Sequence, residues 1–190
     1  MQSFRVSGGS LEFRFRGILN KHLDKLMTES AKNTTEVLFI CMGNICRSPS
    51  AEAVMQTLVK QKGMEKEIEC DSAGTIDYHR GNPADPRMQE HALLRGYELK
   101  SIARSFDEED FENFDLIITM DEDNYQQIQW RDQKRNYTAK IRRMTDFCSS
   151  KTVSEVPDPY YGGSQGFENV LDLLEEACNG LLEFVTTKKQ

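Results

Sequence analysis

The sequence predicts a single three-layer α/β domain, a parallel sheet flanked by helices on both faces. Three observations lead there. Short apolar runs alternate with stretches at helical spacing from about residue 36 to the end of the chain. The runs VLFIC (Val37–Cys41) and DLIITM (Asp115–Met120) are continuous rather than alternating, as strands covered on both faces require. Finally, 190 residues with 38% hydrophobic content supply one sizeable core and hardly two.

The segment from Met1 to Thr35 precedes the regular pattern. LEFRF alternates like a short strand, while Leu19, Leu23, Leu26 and Met27 fall at helical spacing. Its excess of arginine and lysine over acid, together with its serines, is compatible with an organelle transit segment. An extension ahead of a true start at Met27 explains it equally well. Residues 1–35 are therefore set apart from a domain at 36–190.

VLFIC is the first strand. From Pro49 to Lys62, Ala51, Val54, Met55, Leu58 and Val59 line one face of a helix, and Ser48-Pro49 reads as a cap followed by a first-turn proline. IECDSAG (Ile68–Gly74) reads as the second strand. Asp85-Pro86 opens a helix that Gly96 closes. The acidic run DEED at Asp107 looks like a solvated helix start. DLIITM is the third strand, and Asp121 caps a helix reaching about Trp130. KIRRM forms a last short strand. In the final helix Phe167, Val170, Leu171, Leu174, Ala177, Leu181, Leu182 and Val185 keep one apolar face. Such folds bind ligands beyond the carboxyl ends of their strands, and Cys41 lies at one of those ends.

Charge narrows the function classes. A formal net charge of −7 opposes general affinity for nucleic acid or anionic membranes, so an anionic substrate must be captured locally. No apolar run approaches the roughly 18 to 20 residues that span a bilayer. The five cysteines, Cys41, Cys46, Cys70, Cys148 and Cys178, are odd in number and scattered, which argues for a reducing compartment over a disulfide framework. With only His22, His79 and His91 to join them, no metal or other cofactor is expected.

One stretch resists explanation as core. VLFIC runs straight into CMGNICRSPS, where five residues separate Cys41 from Arg47. That length lets the backbone curl so that N–H groups of Met42, Gly43, Asn44, Ile45 and Cys46 point inward around a tetrahedral oxyanion. The helix beginning near Ser48 adds its positive end, and Arg47 offers a planar fork to two phosphate oxygens. Gly43 permits close backbone approach or positive φ, and Asn44 tolerates a left-handed turn. The same field favours thiolate at Cys41, making it a nucleophile, with Ser48 placed to hydrogen-bond the sulfur. Packing is the ordinary role of a cysteine ending a strand, but it leaves the Gly-Asn pair, the arginine and the Ser-Pro unexplained.

Transfer of a phosphoryl group to Cys41 needs an acid for the leaving oxygen, and EVPDPYYGG offers one. Asp158 lies between Pro157 and Pro159, which stiffen its loop. Taken alone it is a turn residue. The adjacent Tyr160 and Tyr161 alter that weighing, because paired aromatics on a polar loop suit the flanks of an aromatic substrate ring.

CMGNICRS with DPYYGG resembles the low-molecular-weight protein tyrosine phosphatase family, from about Glu36 to about Phe184. DSAGT, NPADPR, FDLIITMDEDN and GFENVLDLLEEAC support the likeness. The resemblance implies a four-stranded parallel sheet and a metal-independent reaction in which Cys41 attacks phosphorus, Arg47 and the loop amides hold the oxygens, and Asp158 serves as acid and then base. It further implies that Asn44 and Ser72 support the loop, and that Cys46 forms a reversible disulfide with Cys41 under oxidation. Ile45 is implied to favour phosphotyrosine over phosphoarginine, with Tyr78 and Tyr160 as opposing walls. Ser101 departs from the pattern, since many members carry a supporting histidine there, and a looser loop is the expectation. The implied partners are phosphotyrosine-containing proteins or small aryl phosphates, without nucleic acid or membrane. A cytoplasmic monomer or weak homodimer is expected, in an organelle stroma or matrix if residues 1–35 are a transit segment. Two rival functions use the same cradle. An arsenate reductase would recruit Cys70, Cys148 or Cys178, and a phosphotyrosine-binding module would hold phosphate without turnover.

Overall fold

The computed structural model describes residues 34–187, apart from Lys151 and Tyr161. The readings of residues 1–33 therefore lie outside the described residues. In chain order the elements are β1 (Thr35–Cys41), α1 (Arg47–Gln61), β2 (Ile68–Gly74), α2 (Pro86–Leu94), α3 (Asp110–Asn113), β3 (Leu116–Thr119), α4 (Glu122–Arg131), β4 (Ile141–Arg143) and α5 (Gly163–Thr187). All four strands pair in parallel, in the order β2-β1-β3-β4.

β1 is continuous in apolar residues because it is central and both its faces are used. Val37, Phe39 and Cys41 belong to one core with residues of α1, α2 and α5, whereas Leu38 and Ile40 belong to a second with Ile128 of α4. Val37 through Ile40 are wholly buried, each side chain contributing about 1.5 to 3 kcal/mol relative to exposure. The strand order also reverses direction at β1, whose successors in the chain lie on opposite sides of it. That places a crevice beyond Cys41, where open parallel sheets bind ligands.

The helix boundaries show where local signals held. Asp85 caps α2 by accepting the Arg87 amide at 2.9 Å, and Asp121 caps α4 by accepting the Asn124 amide at 2.7 Å. α1 differs from expectation. It begins at Arg47 and its N-cap position is Cys46 with no side-chain cap, while Pro49 falls within the first turn as expected. The DEED run also departs from a fully solvated helix start: Asp110 is 5% exposed and accepts from Arg104 at 2.9 Å.

Candidate active site

Cys41 ends β1 with its side chain 3% exposed. Its Sγ lies 3.1 Å from Ser48 Oγ and accepts the Asn44 amide at 3.3 Å. The loop that makes this possible uses its two permissive residues differently. Asn44 takes the left-handed conformation, φ 56°, which short polar side chains tolerate. Gly43 is needed for close approach, since a Cβ there would lie 2.9 Å from the His79 ring.

The loop is held by a directed hydrogen-bond network. The Asn44 carboxamide donates to Ser48 Oγ and to Ser72 Oγ, each at 2.9 Å, and accepts the Arg104 amide at 2.9 Å. Ser72 donates in turn to Glu52 at 2.6 Å. Since Asn44 supplies the hydrogens to both hydroxyls, the Ser48 hydrogen is released toward the Cys41 sulfur, with the Ala73 carbonyl at 3.4 Å as its competitor. Of the two roles read for Ser48, the hydroxyl takes the contact with the cysteine sulfur and not the helix cap.

Glu52 and Arg104 were missed in the sequence. Glu52 sits on α1 four residues after Ser48, hence on the same face, which is the one signal that pointed to it. Its carboxyl is buried, and burial raises its pKa, offset in part by hydrogen bonds from Ser72, Ser101 and Gln56. Ser101 is thus one of the groups that hold the Glu52 value down. Arg104 is anchored by Asp71 at 2.8 Å and by Asp110, so that its backbone amide faces Asn44.

Arg47 is 3% exposed. One arm of its fork donates to Asp121 at 2.5 Å and to the Val156 carbonyl at 3.1 Å, and the other to Asp158 at 3.3 Å. Burial works against its cation, but the negative charges at Cys41, Asp121 and Asp158 more than offset that, so Arg47 is held firmly charged. Asp121 was expected only as a cap. It performs both tasks, one carboxylate oxygen for the α4 amide and the other for Arg47.

Cys41, Arg47 and Asp158 line a cavity of about 330 Å³ together with Ile45, Ile76, Tyr78, His79 and Tyr160. Tyr78, 81% exposed, stands at its rim. Tyr160 is braced by Arg87, whose guanidinium lies 5.0 Å from the ring centre and is itself held by Asp85 at 2.7 Å. Thus NPADPR, remote in sequence, sets the wall formed by DPYYGG. Tyr161 lies outside the described residues. Cys46 lines the same cavity, and burial, then the charges of Asp85, Cys41 and Asp158, push its thiol far up, so it is neutral. Cys70, Cys148 and Cys178 do not line it. Cys178 instead packs wholly buried under α1, its Sγ 3.6 Å from the Ala51 carbonyl.

Comparison with known proteins finds relatives in sequence and in structure. Residues 36–190 match the family model described as low molecular weight phosphotyrosine protein phosphatase. A Synechocystis chain assigned to the same class is 50% identical over 147 residues, covering 77% of this chain and 94% of its own. The low molecular weight protein-tyrosine-phosphatase YfkJ of Bacillus subtilis is 40% identical over 155 residues, 81% of this chain and 97% of its own. The crystal structure of a protein tyrosine phosphatase from Entamoeba histolytica, with Hepes in the active site, superposes with a TM-score of 0.78 at 46% identity. It covers 83% of this chain and 100% of its own.

Proposed function

The chain belongs to the low molecular weight phosphotyrosine protein phosphatase family, and from that premise we propose that it hydrolyses phosphotyrosine and small aryl phosphates through a cysteinyl-phosphate, without a metal. The observation that carries this reading is the Cys41 sulfur, held by Ser48 and the Asn44 amide at the floor of the cavity that Arg47 and Asp158 also line.

Cys41 thiolate attacks phosphorus in line as the bond to the phenolic oxygen breaks, and Asp158 delivers a proton to that oxygen. Arg47 and the amides of residues 42–47 take the three equatorial oxygens, whose charge grows toward the transition state. Asp158 then removes a proton from water, which attacks phosphorus. The P–S bond breaks and the thiolate returns to the Ser48 and Asn44 donors. For the acid step Asp158 must exchange its contact with Arg47 for one with the leaving oxygen, while Asp121 keeps the guanidinium plane fixed. Ile45, Tyr78 and Tyr160 give the aromatic ring its apolar surroundings. The neutral thiol of Cys46 is placed to close a reversible disulfide once Cys41 is oxidised. We place the protein in a reducing compartment, since five cysteines, odd in number and scattered, do not make a disulfide framework. Among the described residues no helix is long and apolar enough to cross a membrane.

Single-turnover hydrolysis of an aryl phosphate, following phenol and phosphate separately, tests the mechanism. Wild type gives a phenol burst, Cys41→Ser gives none, and Asp158→Ala slows the burst by about 10²- to 10⁴-fold. After peroxide treatment a dithiol restores the wild-type burst, and restores much less of it in Cys46→Ser. Phosphate binding without phenol release by wild type would overturn the reading.

A further inference from the structure

Three groups touch the Asn44 carboxamide, and only one of them decides which way round it lies. Ser48 and Ser72 hold it in place, but a hydroxyl can donate or accept, so either would tolerate the carboxamide turned end for end. The Arg104 amide would not. A backbone N–H only donates, and at 2.9 Å it requires Oδ1 and not Nδ2 as its partner. Asn44 is 2% exposed, so a donor set against a donor there would be costly.

The orientation matters to the sulfur. As the carboxamide lies, Nδ2 supplies hydrogens to both hydroxyls, and Ser48 is free to turn its own toward Cys41 Sγ, 3.1 Å away. Turned over, it would present Oδ1 to Ser48, which would donate to it and withdraw that hydrogen from the sulfur. The Cys41 thiolate would lose a donor.

What places the Arg104 amide is the far end of the same residue. Its guanidinium spans carboxylates on two elements: Nε and Nη2 meet Asp71 of β2 at 3.0 and 2.8 Å, and Nη1 meets Asp110 of α3 at 2.9 Å. Each carboxylate is itself tied to a main-chain amide, Asp71 to that of Ser72 at 2.7 Å and Asp110 to that of Asp107 at 2.8 Å. Burial works against the Arg104 cation, and its bonds to Asp110 and Asp71, with their charges, more than offset it. The Arg104 carbonyl in turn accepts at 2.8 Å the amide of Gly74, which lies opposite Cys41 in the register of β1 and β2. The clamp therefore stands beside the end of the strand that carries the nucleophile.

We propose that Arg104 is a positioning residue for the nucleophile: by clamping Asp71 to Asp110 it fixes its own amide against Asn44, and through Asn44 and Ser48 it keeps a hydrogen bond on the Cys41 thiolate. The proposal rests on the phosphatase reading above for its consequence in turnover, and on the direction of these hydrogen bonds for the rest. Lysine is no substitute, since an ammonium lacks the planar fork that reaches both carboxylates at once.

The test alkylates the protein with iodoacetamide across a range of pH and follows the Cys41 peptide by mass, a readout that needs no turnover. The proteins are wild type, Arg104→Lys, Asp110→Asn, Ser48→Ala and the double variant Arg104→Lys with Ser48→Ala. In Arg104→Lys and in Asp110→Asn the pH of half-maximal alkylation should rise by about one unit, as the loss of one hydrogen bond to a charged group implies. Ser48→Ala should raise it as well. Adding Arg104→Lys to Ser48→Ala should then raise it little further, because the hydrogen that Arg104 directs is already gone. Unchanged midpoints in both clamp variants, with only the melting temperature lowered, would make Arg104 a structural residue and overturn the proposal. A shift from Arg104→Lys that persists in full without the Ser48 hydroxyl overturns it too. Phenol release from an aryl phosphate is measured alongside: its absence in wild type removes the phosphatase reading, while the alkylation midpoints still decide the clamp.

Discussion

Glu52 touches no substrate, yet three hydrogen-bond donors converge on its carboxyl, one of them the Ser72 hydroxyl that fixes Asn44. Burial raises its pKa in the folded protein. The folded state therefore holds this proton more tightly than the unfolded chain does. The stabilisation it brings is complete below the unfolded carboxylate value, and it is lost as pH rises through the folded one. Denaturant unfolding of wild type and Glu52→Gln between pH 4 and 7 should show the difference moving in favour of the variant as pH rises. A difference that is flat, or that moves the other way, would mean that Glu52 is not the buried, proton-retaining group described. Legibility at this scale was uneven. Cys41, Arg47 and Asp158 stood out through their neighbours, the Gly-Asn pair and Ser-Pro for the first two and the paired tyrosines for the third. Glu52 and Arg104 did not, since a glutamate on a helix and an arginine in a loop look like ordinary surface until burial is known.

α5 shows how an element can be read correctly and still be incompletely understood. Its apolar face from Phe167 to Val185 is buried as its spacing indicates. Gly180 lies on this helix for a reason that no periodicity carries: a Cβ there would stand 2.1 Å from the Phe147 carbonyl oxygen, part of the short 3-10 turn after β4. Helix propensity alone rewards Gly180→Ala by about 1 kcal/mol. Overpacking against backbone costs about 1 to 3 kcal/mol, occasionally more, and should win here. Chemical denaturation should therefore find Gly180→Ala less stable than wild type by about 1 to 2 kcal/mol. A stabilised variant would show that α5 and this turn can separate at little cost. The start of α1 follows the same logic. Ser-Pro resembles a cap in sequence, but the helix extends back to Arg47, and ahead of it the Asn44 amide turns to the Cys41 sulfur.

For the whole molecule, the sheet order β2-β1-β3-β4 puts β1, which ends in Cys41, at an inner position, with the loop that follows it and the Asp158 loop lining one cavity beyond its end. Phosphate bound there should stabilise the entire fold, by about 2.7 kcal/mol at a hundredfold excess over Kd. In thermal melts inorganic phosphate should raise the Tm of wild type by several degrees and that of Arg47→Lys by much less. Equal shifts would place the anion elsewhere. The sequence by itself determined the order and type of the elements and singled out Cys41, Arg47 and Asp158, which the fold brings to one cavity, because hydrophobic period and local loop chemistry act over a few residues. Only the tertiary structure decided which oxygens of Asp121 and Asp158 engage Arg47, that Ser72 joins Asn44 to the buried Glu52, and that Arg87 braces Tyr160. Those relations join residues distant in the chain, and their chemistry depends on burial, which is a property of the packed molecule and is written in no single segment.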